Sequence, residues 1–237
     1  MILSSGVMWS AESKAGLLRH NARLIMVDAL GSSEAIGMAT NTTKAGGASG
    51  TATFQLGPNA RVVTEAGLDV RPGSGELGRV ALRGYTPIGY YKDPEKSAST
   101  FQVIDGMRYA IPGDWAEVAA DGTVKLLGRG SQCINTGGEK VYPEEVEEAL
   151  KLHPSVADAA VIGLPDERFG EAITALVEIR PGAELDEGAL IDHVKQHLAA
   201  YKAPKRVFPI PTIGRAANGK LDYQQLNATA VERTGGA

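Results

Sequence analysis

The chain has 237 residues, enough for one large or two modest domains, and its 43% hydrophobic and 22% charged content is that of an ordinary globular protein. A formal net charge of -4 argues against a general nucleic-acid binder, and no apolar run approaches the ~20 residues that a membrane helix needs. Cys133 is the single cysteine, so no internal disulfide can form, and a reducing, cytoplasmic setting is expected.

The opening Met1-Ile2-Leu3-Ser4-Ser5-Gly6 lacks the basic and long apolar regions of a signal peptide. Ser10 is a suitable N-cap for a helix over 11–20. The short apolar run Leu24-Ile25-Met26-Val27 predicts a buried strand, followed by a polar Gly/Ser loop over 28–34. From 51 to 83 short β-like runs alternate with turns, as in Arg61-Val62-Val63-Thr64 and Gly78-Arg79-Val80-Ala81-Leu82-Arg83, which predicts an antiparallel subdomain. A further strand over 123–127 should end at Gly128. The character then changes. Pro143 suits a first helical position, the glutamates after it suit a helix N-terminus, and the helix should stop before Pro154. Strands are expected over 156–164, 172–179 and at Val207-Phe208. Helices are expected after Asp186, with Leu190, Val194 and Leu198 at helical spacing, and after Asp222. The expected boundary is at Gly130-Ser131, giving domains 1–130 and 131–237.

Several segments carry chemistry-bearing residues. In Leu30-Gly31-Ser32-Ser33-Glu34 a small residue lets backbone approach a phosphate, hydroxyls can donate to it, and a carboxylate can hold Mg²⁺. Taken alone, the same loop reads as a solvated turn. Gly75-Glu76-Leu77-Gly78 and Gly89-Tyr90-Tyr91-Lys92-Asp93-Pro94-Glu95-Lys96-Ser97 come next, then Ile111-Pro112-Gly113-Asp114-Trp115. Asp114, held after a glycine turn, can accept from both hydroxyls of a ribose, or can serve as an Asx-turn residue. Arg129 offers a rigid fork of donors to ribose or phosphate oxygens, or simply ends a strand. His193 and His197 share a helix face without a third ligand, so no metal site is expected there.

The order of these segments resembles the adenylate-forming superfamily of acyl-CoA synthetases, luciferases and nonribosomal adenylation domains. Residues 30–34 match its Tyr-Gly-x-Thr-Glu motif, and 75–97 its Gly-Glu-Leu and Gly-Tyr-x-x-x-Pro-Glu region. Gly138-Glu139-Lys140-Val141-Tyr142-Pro143-Glu144-Glu145-Val146-Glu147 matches the loop after its hinge. Leu198-Ala199-Ala200-Tyr201-Lys202-Ala203-Pro204 and Asn218-Gly219-Lys220-Leu221 match its last two motifs. The resemblance implies a fold: the tail of a large α/β domain with a β-rich subdomain, then a small, mobile α+β lid. It implies roles as well. Leu30, Gly31, Ser32 and Ser33 would bind AMP or ATP, with Ser33 at the α-phosphate, and Glu34 would bind Mg²⁺. Asp114 and Arg129 would hold the ribose, and Lys220 would be the adenylation lysine. Ser131 would be the hinge, and Gly137, Gly138 and Glu139 the face used with CoA. The expected activity is acyl-CoA ligation from a carboxylic acid, of fatty-acid type, with ATP and CoA. The alternatives are an adenylation domain loading a carrier-protein thiol, and a non-catalytic fragment or partner subunit, with an upstream segment or a second copy as possible partners. Three departures stand out. Leu30 replaces the family aromatic that stacks on adenine, and Ser131 replaces the usual Asp or Lys. No Ser/Thr-Gly-x-Pro-Lys phosphate loop occurs in the 237 residues, so the expectation is a truncated chain, inactive alone.

Overall fold

The computed structural model describes residues 1–6, 9–47 and 51–235, the side chain of Ser131 excepted. The chain divides into two compact units, Met1–Arg129 and Gly130–Ala237.

In the first unit β1 (Ile2–Ser5), α1 (Ala11–His20) and β2 (Met26–Leu30) form a β-α-β segment whose strands are parallel. Ser10 caps α1, its hydroxyl accepting from the Ser13 N–H. The strand does not stop where polar residues begin. It runs on through Asp28 to Leu30, because it is hydrogen-bonded to β1 on one side and to β3 (Ala39–Thr43) on the other. Asp28 is tolerated in this buried strand because Lys14 of α1, itself 1% exposed, forms an ion pair with it. A buried charge needs such a partner, and removing one member of such a pair costs about 3–5 kcal/mol.

Next come β4 (Thr53–Leu56), β5 (Ala60–Val63), β6 (Leu77–Arg83), α2 (Pro94–Thr100), β7 (Phe101–Ile104), β8 (Met107–Ala110), β9 (Asp114–Val118) and β10 (Val124–Arg129). The sheet order is β1-β2-β3-β4-β10-β9-β6-β8-β7, with β5 also on β6. Every pairing after β1–β2 is antiparallel, as the short alternating runs require. The strand expected to end at Gly128 continues to Arg129 through an irregularity between Leu126 and Gly128. That bulge sets Arg129 opposite Asp114.

The second unit starts with a 3-10 turn, Gly130–Gln132. It continues with β11 (Ile134–Thr136), β12 (Glu139–Val141), α3 (Pro143–Lys151), β13 (Val156–Asp166), β14 (Gly170–Ile179), α4 (Glu187–His197), β15 (Arg206–Pro209) and α5 (Tyr223–Arg233). The long β13–β14 hairpin ends the sheet order β12-β11-β14-β13, with β14 central and β15 parallel to it. Side chains alternate across this hairpin. Ala159, Val161, Ile173, Ala175 and Val177 pack with α3 and α4, whereas Ala160, Ile162, Leu164 and Leu176 pack with α5. Both faces are therefore buried, which is why these strands read as continuous apolar runs.

Candidate functional site

In the first unit the parallel strands β1 and β2 end beside each other. An open groove of about 300 Å³ there is lined by Ser5, Ala29, Leu30, Gly31, Ser32, Ile36 and Gly37. The end of a parallel strand pair is where α/β folds hold ligands. A side chain on Gly31 would place its Cβ 3.2 Å from both the Ala35 carbonyl oxygen and the Gly37 nitrogen, so this wall of the groove is bare backbone. Residues 32–35 close a turn, with Ser32 N–H donating to Ala35 O at 3.0 Å and Ala35 N–H to Ser32 O at 3.2 Å. Ser32 Oγ is buried and lies close enough to Glu34 to lower its pKa, yet no well-aligned hydrogen bond satisfies it. Ser33 is exposed.

Glu34 receives a 2.6 Å hydrogen bond from the Tyr90 hydroxyl. This bond is the main reason its carboxyl is held below the usual carboxylate range, and the positive charge of Arg129 adds to the effect. Tyr90 is held in turn by the segment that follows it. Its N–H donates to Ser97 Oγ at 2.7 Å, Ser97 Oγ donates to Asp93 O at 2.6 Å, and Lys96 Nζ lies 4.4 Å from the ring centroid. Burial and then Glu34 raise the phenol's pKa, so Tyr90 stays a proton donor. Asp114, the first residue of β9, is buried, and Arg129 Nε lies 3.5 Å from its Oδ1. Burial raises the Asp114 pKa, and Arg129 works against that rise. Glu34 also raises it, so Glu34, Tyr90, Asp114 and Arg129 share one electrostatic neighbourhood.

The other expected residues lie in the second unit. Gly137 and Gly138, at φ 60° and 88°, form the two-residue turn of the β11–β12 hairpin. Both torsions lie in the left-handed region that a type I′ turn demands. Gly137 N–H donates to Phe169 O at 2.8 Å, which ties the turn to the Asp166 end of β13. Glu139 is exposed at the start of β12. Lys220 lies just ahead of α5, and its N–H donates to Asn218 Oδ1 at 3.1 Å. The arginine before this loop reaches the other end of β13, where Arg215 Nε and Nη2 bind Asp158 at 2.6 and 2.9 Å. Asp158 and Asp166 are eight strand positions apart, roughly 26 Å. The lysine loop and the Gly-Gly turn are thus tied to opposite ends of one strand. Ser131 lies in the 3-10 turn that opens the unit, and its side chain is outside the described residues.

The sequence by itself assigns no role to Tyr90 or Arg215. The only local trace of Tyr90's role is its membership of the Gly89 to Ser97 motif, because its partner lies 56 positions away. Among the described residues no group of three metal-ligating side chains occurs, and His193 and His197 bond the Ala149 and His193 carbonyls instead.

Residues 145–220 match the family described as AMP-binding enzyme C-terminal domain. The chain is 43% identical, over 234 residues, to a medium/long-chain-fatty-acid–CoA/3-oxocholest-4-en-26-oate–CoA ligase of Mycolicibacterium smegmatis, covering 98% of this chain and 42% of that protein. It is 45% identical over 225 residues to a 3-oxocholest-4-en-26-oate–CoA ligase of Rhodococcus rhodochrous, covering 93% of this chain and 40% of the relative. The ATP-bound crystal structure of MatB from Rhodopseudomonas palustris superposes with a TM-score of 0.80 at 29% identity, over 96% of this chain and 44% of that one. The chain therefore spans less than half the length of the relatives it matches.

Proposed function

We propose that this chain, which belongs to the adenylate-forming superfamily, is the C-terminal portion of an acyl-CoA ligase acting on a medium- or long-chain fatty acid in the cytoplasm. The observation that carries the reading is the polarity of the second unit. A lysine with no side-chain partner among the described residues and a bare Gly-Gly turn are tied to opposite ends of β13, which argues against their serving one reacting carbonyl at the same moment. Two half-reactions at one acyl-adenylate, separated by a turn of the small unit at Ser131, use both ends in succession.

The groove of the first unit suits a nucleotide. Leu30 offers the base an apolar wall, Gly31 offers bare backbone, and the unsatisfied Ser32 hydroxyl offers a buried donor, with Ser33 exposed beside it. Asp114 can accept from ribose hydroxyls while Arg129 supports its ionised form. Glu34 is held in its charged form, Tyr90 donates to its Oε1, and this carboxylate is the candidate ligand for a divalent ion. Mg²⁺ is commonly held by one or two carboxylates plus substrate phosphates, so one protein ligand here is sufficient. ATP supplies the adenylyl group that activates the acid. Lys220 sets positive charge against the α-phosphate as negative charge builds in the transition state. In the other orientation Gly137 and Gly138, with Glu139 beside them, let the pantetheine arm of CoA pass close to backbone.

The test joins this chain to the N-terminal portion of the M. smegmatis relative and assays acid-dependent pyrophosphate exchange and acyl-CoA formation. The 237 residues alone should support no exchange. In the chimera Lys220→Ala should slow adenylation by about 10²–10³-fold and largely spare thioester formation from supplied acyl-adenylate. Equal damage to both half-reactions, or a folded chimera that ligates no medium- or long-chain fatty acid, rejects the reading.

A further inference from the structure

We infer that Arg215 is a positioning residue that fixes the Lys220 backbone, and that Asp158 is the anchor through which it acts. This deepens the assignment of Lys220 as the adenylation lysine and rests on it. Arg215 Nε donates to Asp158 Oδ2 at 2.6 Å and Nη2 to Asp158 Oδ1 at 2.9 Å, the planar two-point pairing that arginine alone can make. Nη2 also donates to Ala159 O at 3.2 Å, and Nη1 reaches Gly219 O at 3.3 Å. Four bonds from one rigid plane thus join β13 to the residue before the lysine.

Asp158 is placed for this by an irregularity of β13, between Val156 and Asp158, which turns the strand locally. Ala159 N–H donates to Asp158 Oδ1 at 2.8 Å and so fixes the carboxylate. The loop end is equally determined. The peptide joining Gly219 to Lys220 has its carbonyl held by Arg215 and its N–H held by Asn218 Oδ1. Lys220 O accepts from Ala216 N–H at 3.0 Å, and Gly219 N–H donates to Ala216 O at 2.7 Å. Downstream, Asp222 caps α5 by accepting from Gln224 and Gln225 N–H. Both groups of the peptide plane are tied, so the direction in which the Lys220 side chain leaves the backbone is set. The side chain itself makes no hydrogen bond or ion pair among the described residues. A fully tied backbone carrying an untied ammonium is an arrangement for presenting charge, and Arg215 is the one side chain linking that loop to the sheet through both a strand carboxylate and the lysine's own peptide.

Two measurements test this. In the 237-residue chain, amide hydrogen exchange of Gly219 and Lys220 in Arg215→Met should rise about 10-fold, as expected for the loss of one charged hydrogen bond. Amides of β14 should stay protected, and Asp158→Asn should reproduce much of the change. Unchanged exchange at both positions in a folded variant overturns the proposal, and loss of protection throughout β14 also overturns it, by showing a general structural role. In the chimera, Arg215→Met should lower kcat for adenylation with little change in KM for the acid, and Arg215→Lys should not restore it, since an ammonium cannot make the fork. A chimera in which Lys220→Ala has no effect would defeat the function assigned to Lys220 while leaving the exchange result standing, so the two failures are separable.

Discussion

Replacing Tyr90 by phenylalanine removes the 2.6 Å bond that chiefly holds Glu34 below the usual carboxylate range. The Glu34 pKa should then rise toward its ordinary value, which a carboxyl-carbon NMR titration reads directly. A group with a lowered pKa stabilises the fold above its unfolded value and loses that contribution as pH falls through the lowered one. In Tyr90→Phe that contribution should be smaller at neutral pH, and its loss should be complete at a higher pH. An unchanged Glu34 titration would show that the phenol does not set the carboxylate's charge. Hydroxyls, glycine and a carboxylate in sequence at 30–34 are a local signal that fits a phosphate and metal loop or a solvated turn. The partner of Glu34 was not legible. It comes from a turn ahead of α2, and only the assembled sheet brings the two together.

Helix α3 was legible almost to its ends from Pro143, the glutamates behind it and Pro154, since caps and breakers act through neighbouring backbone. Helix α2 was not singled out, although Asp93 caps it by accepting from Lys96 N–H and Pro94 opens it, because it is only seven residues long. Nor was the β7–β8 hairpin, which turns on Asp105-Gly106. That dipeptide is a strong type I′ signal, but the flanking strands are four residues each and give little alternation to see. What sequence hides in α3 is Glu147. It is 4% exposed, and its Oε1 accepts from Val161 N–H at 2.9 Å. Burial pushes its pKa up from 4.5 to about 7. The native state therefore binds more protons than the unfolded state between those values, and stability must fall as pH rises through that window. Glu147→Gln cannot ionise, so its urea midpoint should fall less than wild type between pH 5 and 7. His193, whose pKa burial lowers, contributes the opposite slope in both proteins and cancels from the comparison. Parallel curves for the two proteins would contradict an ionisable Glu147 in the core.

At the scale of the molecule, the two units hold separate cores, and every member of the clusters built on β13 and β14 lies in the second unit. The segment 130–237 should accordingly fold by itself, with one cooperative urea transition and mixed α/β circular dichroism. A disordered spectrum would show that its core depends on the first unit. The two sheets also differ in how far apart their partners lie along the chain. Strands β13 and β14 zip outward from the turn between Asp166 and Gly170. In the first unit β4 lies between β3 and β10, and its register with β10 sets Phe54 against Val124. On a ribosome working at roughly 5–20 residues per second, that edge of β4 waits about 4–14 seconds for its partner to be synthesised. For that interval its backbone N–H and C=O groups are open to any other strand, so mispairing during translation is a hazard of the first unit's sheet.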